Sequence, residues 1–199
     1  MPPRKRLDRA DVIQAAALLL EEEGPAAFTL HQLARRLGIQ TPSLYNHIDG
    51  LPGLHADLAV LNARKLADAM EQAAIGCSGP QALYAVAQAV RGYILSAPVL
   101  YQFCLLSSGN QANPNDALKA AEERALRVGL AIVQSYNLRG DDAVHALRGL
   151  RSLIHGFASL EAAGGFGMPL DCDESFRRLL EAYSRGLSDL AAAQSPAAN

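Results

Sequence analysis

The stretch that decides the fold is TLHQLARRLGIQTPSLYNHI, residues 29–48. Apolar side chains recur every three or four positions between residues 30 and 37, which predicts a short amphipathic helix capped by Thr29. Gly38 permits the left-handed backbone of a tight turn, and Thr41-Pro42 predicts the start of a second short helix, with the threonine hydroxyl as its cap. Two short helices joined by a glycine turn are the pattern of a helix-turn-helix.

Apolar residues on both sides of the turn predict that packing fixes the angle between the two helices. They are Leu33, Ala34 and Leu37 before the turn and Ile39 and Leu44 after it. Ala34 is small where the helices would cross closely. The pattern therefore predicts a rigid pair of helices with one inner and one outer face.

The side chains left for the outer face are short hydrogen-bonding groups with almost no full charge. They are Gln40, Thr41, Ser43, Tyr45, Asn46 and His47, and Thr29 joins them from the start of the first helix. Base edges in a major groove offer donors and acceptors to groups of this kind, so the pattern predicts a DNA-contacting face. The alternative is a plain helical hairpin whose outer face meets only solvent.

Helix signals continue on both sides of this segment, and strand signals are almost absent. A first helix is expected from the N-cap Asp8 to the stop at Gly24-Pro25. Later helices are expected at 51–74, 80–96, 98–107, 116–136, 141–162 and 173–193, with Asp141 as an N-cap and residues 109–115 as a loop. The prediction is an all-α chain of about nine helices.

The expected domain organisation has two parts. Residues 1–50 form a three-helix DNA-binding domain that extends into the helix starting near residue 51. Residues 51–199 form a larger helical bundle for ligand binding and dimerisation.

Composition is that of a packed globular chain. Half of the 199 residues are hydrophobic, 19% are charged, and the formal net charge is −2, which by itself gives no hint of nucleic acid. Basic residues crowd the N-terminus at Arg4, Lys5, Arg6 and Arg9. Such an arm either binds phosphate or is a solvated tail.

Several functional classes lack support. No signal peptide and no run of about 18 apolar residues occurs, and the three widely spaced cysteines fit a reducing compartment, so we expect a cytoplasmic protein without a membrane partner. The five histidines have no partners at metal-ligand spacing, and no phosphate loop or nucleophile elbow is present. We therefore expect no metal, no cofactor and no catalytic residue.

Several positions between residues 29 and 48 agree in order and spacing with a known family. They are Thr29, Leu33-Ala34, Leu37-Gly38, Leu44-Tyr45 and His47-Ile48. Residues 7–61, about a quarter of the chain, thus resemble the N-terminal domain of the tetracycline-repressor (TetR) family. The resemblance implies a dimeric transcriptional regulator that binds a palindromic double-stranded DNA operator, most often as a repressor, with Tyr45 and His47 meeting phosphates.

Two positions depart from the family pattern. Ile48 stands where the family usually has Phe, and the residue remains apolar. Leu51 stands where the family usually has a Lys that touches phosphate, so one charge contact is missing. Backbone amides at that helix start could still hold a phosphate.

The C-terminal half is similar to a TetR C-terminal domain type named for a Trp-His-Gly triplet. Ile154 takes the Trp place, and His155-Gly156 match. The likeness says little about ligand identity.

Apolar stripes on the last two helices predict a homodimer. One helix carries Ala143, Leu147, Leu150, Ile154 and Phe157, with a second seam of Ala146, Leu153 and Leu160 flanked by Gly149 and Gly156; the other carries Phe176, Leu180, Tyr183, Leu187 and Leu190. A surplus stripe needs a partner, and the resemblance implies that these helices pair with their mates as a four-helix bundle. The alternative is that both seams are buried within one chain.

Aromatic and polar residues around the Pro98 break are the candidates for ligand binding. They are Tyr93, Tyr101 and Phe103, together with Arg151 and His155 on a later helix. Pockets between bundle helices suit a small apolar or aromatic effector. The alternative is a plain core, since aromatic residues at helical spacing belong more often to a core than to a pocket.

Two classes of function remain open. The first is a ligand-responsive repressor in which an effector changes the spacing of the two DNA-binding domains of the dimer. The second is a helical interaction module, an activator whose helix-turn-helix is not ligand-controlled, or a small helical enzyme. Leu51 is the one feature that favours the second class.

Overall fold

The computed structural model describes residues 7–107 and 115–194. In these two ranges the chain forms nine α-helices and no strand, which confirms the all-α prediction. The helices are α1 Arg9–Glu23, α2 Leu30–Leu37, α3 Thr41–Leu44, α4 Gly50–Ala74, α5 Gly79–Ser96, α6 Pro98–Ser107, α7 Asp116–Gln134, α8 Gly140–Ala162 and α9 Cys172–Gln194.

Local capping explains where the first two helices begin. Asp8 accepts a hydrogen bond from the Asp11 amide at 2.8 Å, and the Asp11 carboxylate accepts one from the Asp8 amide at 3.2 Å, so a complete capping box starts α1. Thr29 Oγ1 accepts from the Gln32 amide at 3.3 Å and starts α2. Both caps agree with the sequence-based expectation.

Two other caps were predicted wrongly. The N-cap of α3 is Gln40, which makes no side-chain capping bond, because Thr41 already belongs to the helix with Pro42 beside it in the first turn. Helix α8 begins one residue before Asp141, after Arg139 as its N-cap. Asp141 instead lies in the first turn, where a carboxylate interacts favourably with the helix dipole.

The described chain divides into two compact units. The first takes residues up to Arg64 and those from Ala97 to Ala120. Its core contains Leu20, Leu33, Leu44, Leu54 and Leu100, all at most 1% exposed, so α1 to α3, the start of α4 and helix α6 share one apolar interior.

A carboxylate fixes α6 within the first unit. Glu21 in the last turn of α1 accepts hydrogen bonds from the backbone amides of Val99 and Leu100, at 3.2 and 2.5 Å. These amides belong to the first turn of α6, where no intrahelical acceptor exists for them. The contact joins α6 to the same helix that supports the helix-turn-helix.

The second unit takes residues 65–96 and the described residues from Ala121 onward. Its core is built from α5, α7, α8 and α9, with Leu83, Val133, Leu150, Phe176 and Leu180 at its centre. This division, which follows compactness, does not coincide with the predicted functional boundary at residue 50. That boundary stays a prediction.

The second seam predicted on α8 is largely used within the chain. Ala146 is buried, Leu153 packs against the core of the second unit, and only Leu160 is exposed, by 53%. Gly149 gives room to the Tyr183 hydroxyl, which donates to the Ala146 carbonyl at 2.5 Å. The surplus stripe therefore does not by itself require a second chain.

Candidate nucleic-acid interface

The turn between α2 and α3 has the left-handed glycine that the sequence predicts. Gly38 has φ 67° and ψ 30°, and its amide donates to the carbonyls of Ala34 and Arg35. The Ile39 amide also donates to Ala34, at 3.0 Å. A residue with a Cβ would be strained at this φ, which is why glycine ends α2 here.

Helix α3 is only four residues long and continues as hydrogen-bonded turns. The His47 and Ile48 amides donate to the Leu44 carbonyl, at 2.8 and 3.0 Å. Leu44 and Ile48 are buried at 0% and 2% exposure and anchor this segment in the core of the first unit. The backbone of residues 40–48 is thereby held against α2 in the core of the first unit.

The polar residues predicted to contact DNA are all at least partly accessible to solvent. Gln40, Tyr45, Asn46 and Thr29 are exposed, and Thr41, Ser43 and His47 are half-buried. Tyr45 is 60% exposed, although large apolar rings normally seek the interior. Six of them lie between residues 40 and 47 and carry hydrogen-bonding groups with no full charge, whereas Thr29 lies at the N-cap of α2. Their contact with DNA stays a prediction.

An ion pair borders this segment and was missed by sequence reasoning. The Arg9 guanidinium binds the Asp57 carboxylate of α4 and lies 3.8 Å from Asp49, measured from Nη2 to Oδ2. Arg9 and Asp57 are 48 positions apart, so no local sequence pattern connects them. The basic residues Arg4, Lys5 and Arg6 lie outside the described residues.

The predicted ligand residues are divided between the two units. In the second unit, Tyr93 and His155 are half-buried and Arg151 is exposed. In the first unit, Tyr101 is buried and Phe103 packs edge-on against His55, with ring centroids 5.0 Å apart.

Two clefts are lined by other residues. One, of about 210 Å³, is lined by Leu19, Glu23, Gln32, Arg35 and Arg36. The other, of about 440 Å³, is lined by Pro80, Ser135, Tyr136, Asn137, Ser188, Ala191 and Ala192. The predicted ligand contacts therefore stay predictions.

The described residues 7–107 and 115–194 contain no cluster of metal-ligating side chains and no single membrane-spanning helix. No group of three or more His, Cys, Asp or Glu side chains there could hold a metal ion. No single helix in that part of the chain is long and apolar enough to cross a membrane. Only α5 and most of α6, taken together as one bent pair, reach the length and apolar composition of a membrane span.

Two family descriptions match the chain. Residues 12–47 match "Bacterial regulatory proteins, tetR family", and residues 83–183 match "Tetracyclin repressor-like, C-terminal domain". A relative supports the same assignment over nearly the whole length. The HTH-type transcriptional regulator YobS of Bacillus subtilis (strain 168) is 30% identical over 187 residues, which cover 94% of this chain and 96% of YobS.

The chain belongs to the TetR family. It is a TetR-family transcriptional regulator of the DNA-binding, helix-turn-helix type, and the family and its relatives are regulators of transcription. The tetracycline repressor protein class D of Escherichia coli is 46% identical over 55 residues, which cover 28% of this chain and 25% of that repressor.

A solved structure shares the fold of nearly all of the chain. A protein from Rhodococcus sp. RHA1 is 22% identical and superposes with a TM-score of 0.81, covering 94% of this chain and 100% of the other. Identity at that level shows the fold alone.

Proposed function

We propose that this TetR-family regulator is a homodimeric repressor that binds a palindromic operator and leaves it when a small apolar or aromatic effector binds. We also propose the functional division at residue 50, with DNA binding before it and effector binding and dimerisation after it. The observation that carries the proposal is the row of uncharged hydrogen-bonding side chains on residues 40–47, whose backbone is anchored by the buried Leu44 and Ile48.

Separate roles are proposed for the residues of this row. Gln40 and Ser43 read base edges, since short amide and hydroxyl groups fit the donors and acceptors of the major groove. Tyr45 and His47 contact phosphates, and Asn46 and Thr29 support them at the edges of the contact. The Thr41 hydroxyl is not used as a helix cap, so it is available for a polar contact of its own.

The test uses a duplex selected from a random-sequence library by the wild-type protein. Tyr45→Ala combined with His47→Ala should weaken binding to every variant of that duplex by a similar factor, because phosphate contacts carry no sequence information. Gln40→Ala should instead relax the preference at one position of each half-site, with discrimination of about 1–3 kcal/mol lost there. Mobility-shift titration measures both effects, and circular dichroism checks that each variant is folded.

A folded double variant that binds DNA as tightly as wild type would place the DNA face elsewhere. A wild-type chain that selects no duplex would favour an interaction module in which the helix-turn-helix no longer holds DNA, the possibility that Leu51 raises. Increased transcription of the target gene on DNA binding would identify an activator in place of a repressor.

The proposed dimer uses α8 and α9 together with the segment that joins them. Exposed large apolar side chains concentrate there: Leu160, Phe166, Met168, Leu170 and Leu190 are 39–76% exposed. An exposed apolar patch of this kind is unusual on a monomeric protein and favours association with a second copy.

The effector is proposed to contact residues of the C-terminal part, with Tyr93, Tyr101, Phe103, Arg151 and His155 as separate candidates. Thermal-shift screening of apolar and aromatic compounds tests this, because a ligand at 100 times its dissociation constant stabilises the folded state by about 2.7 kcal/mol. A candidate residue is assigned as an effector contact when its alanine variant no longer shows the thermal shift with that compound. The finer likeness to the Trp-His-Gly type rests on His155-Gly156 and remains part of this proposal.

A further inference from the structure

We infer that Arg9 is a phosphate-contacting residue at the edge of the proposed DNA face, and that Asp57 is the residue that positions its guanidinium. The inference rests on the proposed function, because it requires DNA to lie against residues 40–47. Nothing in the sequence around Arg9 distinguishes it from the other basic residues of the N-terminus.

Asp57 holds the guanidinium at two points. Arg9 Nε donates to Asp57 Oδ2 at 3.2 Å, and Nη2 donates to Oδ1 at 3.1 Å. The Asp57 side chain is only 15% exposed, whereas that of Arg9 is 52% exposed. A fork of this kind fixes the plane of the guanidinium and leaves further N–H donors for an anion.

Arg9 lies beside the residues that follow the proposed DNA face in the chain. Nη2 of Arg9 lies 3.8 Å from Asp49, the residue that precedes Gly50 and helix α4. A Cβ built on Gly50 would lie 3.9 Å from Cε1 of Tyr45. Tyr45, Gly50, Asp49 and Arg9 are therefore neighbours, and the guanidinium borders the row of residues 40–47.

Asp49 and Arg9 place opposite charges beside the proposed DNA face. Asp49 is 87% exposed and its carboxylate would repel a phosphate that approaches Tyr45. Arg9 supplies a positive charge beside it, held at a fixed place by Asp57. Because Asp57 is already paired and largely covered, the exposed part of the guanidinium is available to the DNA backbone.

Arg36 provides a matched control on the same unit. It also forms a two-point ion pair, with Glu22 near the end of α1. Glu22 is 13 positions after Arg9 on the same helix, which places it about 20 Å away along the helix axis. Removing Arg36 therefore changes the net charge as much as removing Arg9, at a different place.

The experiment measures binding to the selected duplex between about 50 and 200 mM salt. Arg9→Ala should weaken binding about tenfold for each protomer and lower the slope of log affinity against log salt by about 0.9 per protomer. Arg9→Lys keeps the charge but not the fork to Asp57, so it should recover only part of the lost affinity. Asp49→Asn should strengthen binding by about twofold, because it removes a repulsive charge at the DNA edge.

Each result separates this inference from the proposed function. Arg36→Ala should bind as wild type does; an equal loss in both arginine variants would mean a general charge effect and overturn the inference. A Tyr45→Ala variant that loses affinity while Arg9→Ala keeps wild-type affinity and slope overturns the role of Arg9 alone. Full recovery by Arg9→Lys overturns the positioning role of Asp57. A wild-type chain that selects no duplex overturns both proposals.

Discussion

At the scale of single residues, burial decides which side chains are available for chemistry. Cys104 on α6 is 3% exposed, and burial raises the pKa of its thiol to about 12. The thiolate is the reactive form, so this cysteine stays protonated and shielded at neutral pH. Cys77 and Cys172 are only half-buried.

This difference predicts the pattern of thiol labelling. In the folded protein at about pH 8, N-ethylmaleimide should label the half-buried Cys77 and Cys172 and leave Cys104 unmodified. In denaturant all three should react. Mass spectrometry after proteolysis counts the labels, and rapid labelling of Cys104 in the folded state would show that α6 is not packed against α1 as described.

The outward position of Tyr45 and Asn46 could be predicted from the sequence, whereas the ion pair of Arg9 with Asp57 could not. Both outward positions follow from the helix-turn-helix spacing, which is local. Arg9 meets Asp57 only because α1 and α4 pack together, and such tertiary contacts leave no periodic signal. The cap at Thr41 was wrong because the helix begins one residue earlier than a threonine cap requires.

At the scale of secondary-structure elements, one buried cation ties three helices of the second unit together. The Arg91 side chain of α5 is 6% exposed and binds Glu161 of α8 at 2.5 and 2.6 Å and Asp173 of α9 at 2.7 Å. Its guanidinium also lies 5.1 Å from the centroid of the Phe176 ring. The pKa of Arg91 is raised, with the hydrogen bonds to Glu161 as the largest cause.

Loss of this cation should destabilise the second unit. Arg91→Met leaves the partly buried Glu161 carboxylate without its partner. We expect this to lower the free energy of unfolding by about 3 kcal/mol. The double variant Arg91→Met with Glu161→Gln should recover part of that loss. Chemical denaturation measures both.

Arg177→Ala is the control for this pair, because Arg177 forms only exposed ion pairs with Glu174 and Glu181 on α9 itself. Its unfolding midpoint should match that of wild type. An Arg91→Met variant with wild-type stability would show that the ion pair contributes nothing to folding.

Most helices could be predicted to within a few residues because caps and apolar periodicity are local. Helix α4 was expected from residue 51 and starts at Gly50, and α7 was expected to reach residue 136 and ends at Gln134. Arg91 occupies a core-facing position of α5, between Ala87 and Ile94, and periodicity alone gives no reason for a charge there. Its partners come from helices about 70 and 82 residues further along.

At the scale of the whole molecule, the exposure of apolar residues in the second unit decides which substitutions can test the proposed dimer. Leu187, on the predicted dimer stripe, is 1% exposed within the chain, so a charge there would disrupt folding before it reports on association. Leu160 is 53% exposed and Leu190 is 55% exposed, which makes them the informative positions.

The proposed dimer therefore predicts a specific response to charge. Wild type at micromolar concentration should scatter light with twice the mass of the chain, and Leu160→Glu should shift the mass toward a folded monomer, because an interfacial carboxylate must lose its hydration. Leu126→Glu is the control, since Leu126 is similarly exposed at 50% but belongs to α7, which is not one of the helices of the proposed interface. A wild-type monomer, or equal disruption by both variants, contradicts the proposed interface.

The shortness of α3 has a consequence for how this regulator changes over evolutionary time. Its four helical residues and the turn after them are retained by Leu44 and Ile48, while Gln40 and Asn46 stand in solvent and take no part in the core. Substitutions at those exposed positions leave the folding energy nearly unchanged. A duplicated gene can therefore change Gln40, the proposed base-reading residue, without losing the fold, and a library randomised at this position should yield folded proteins with divergent sequence preferences.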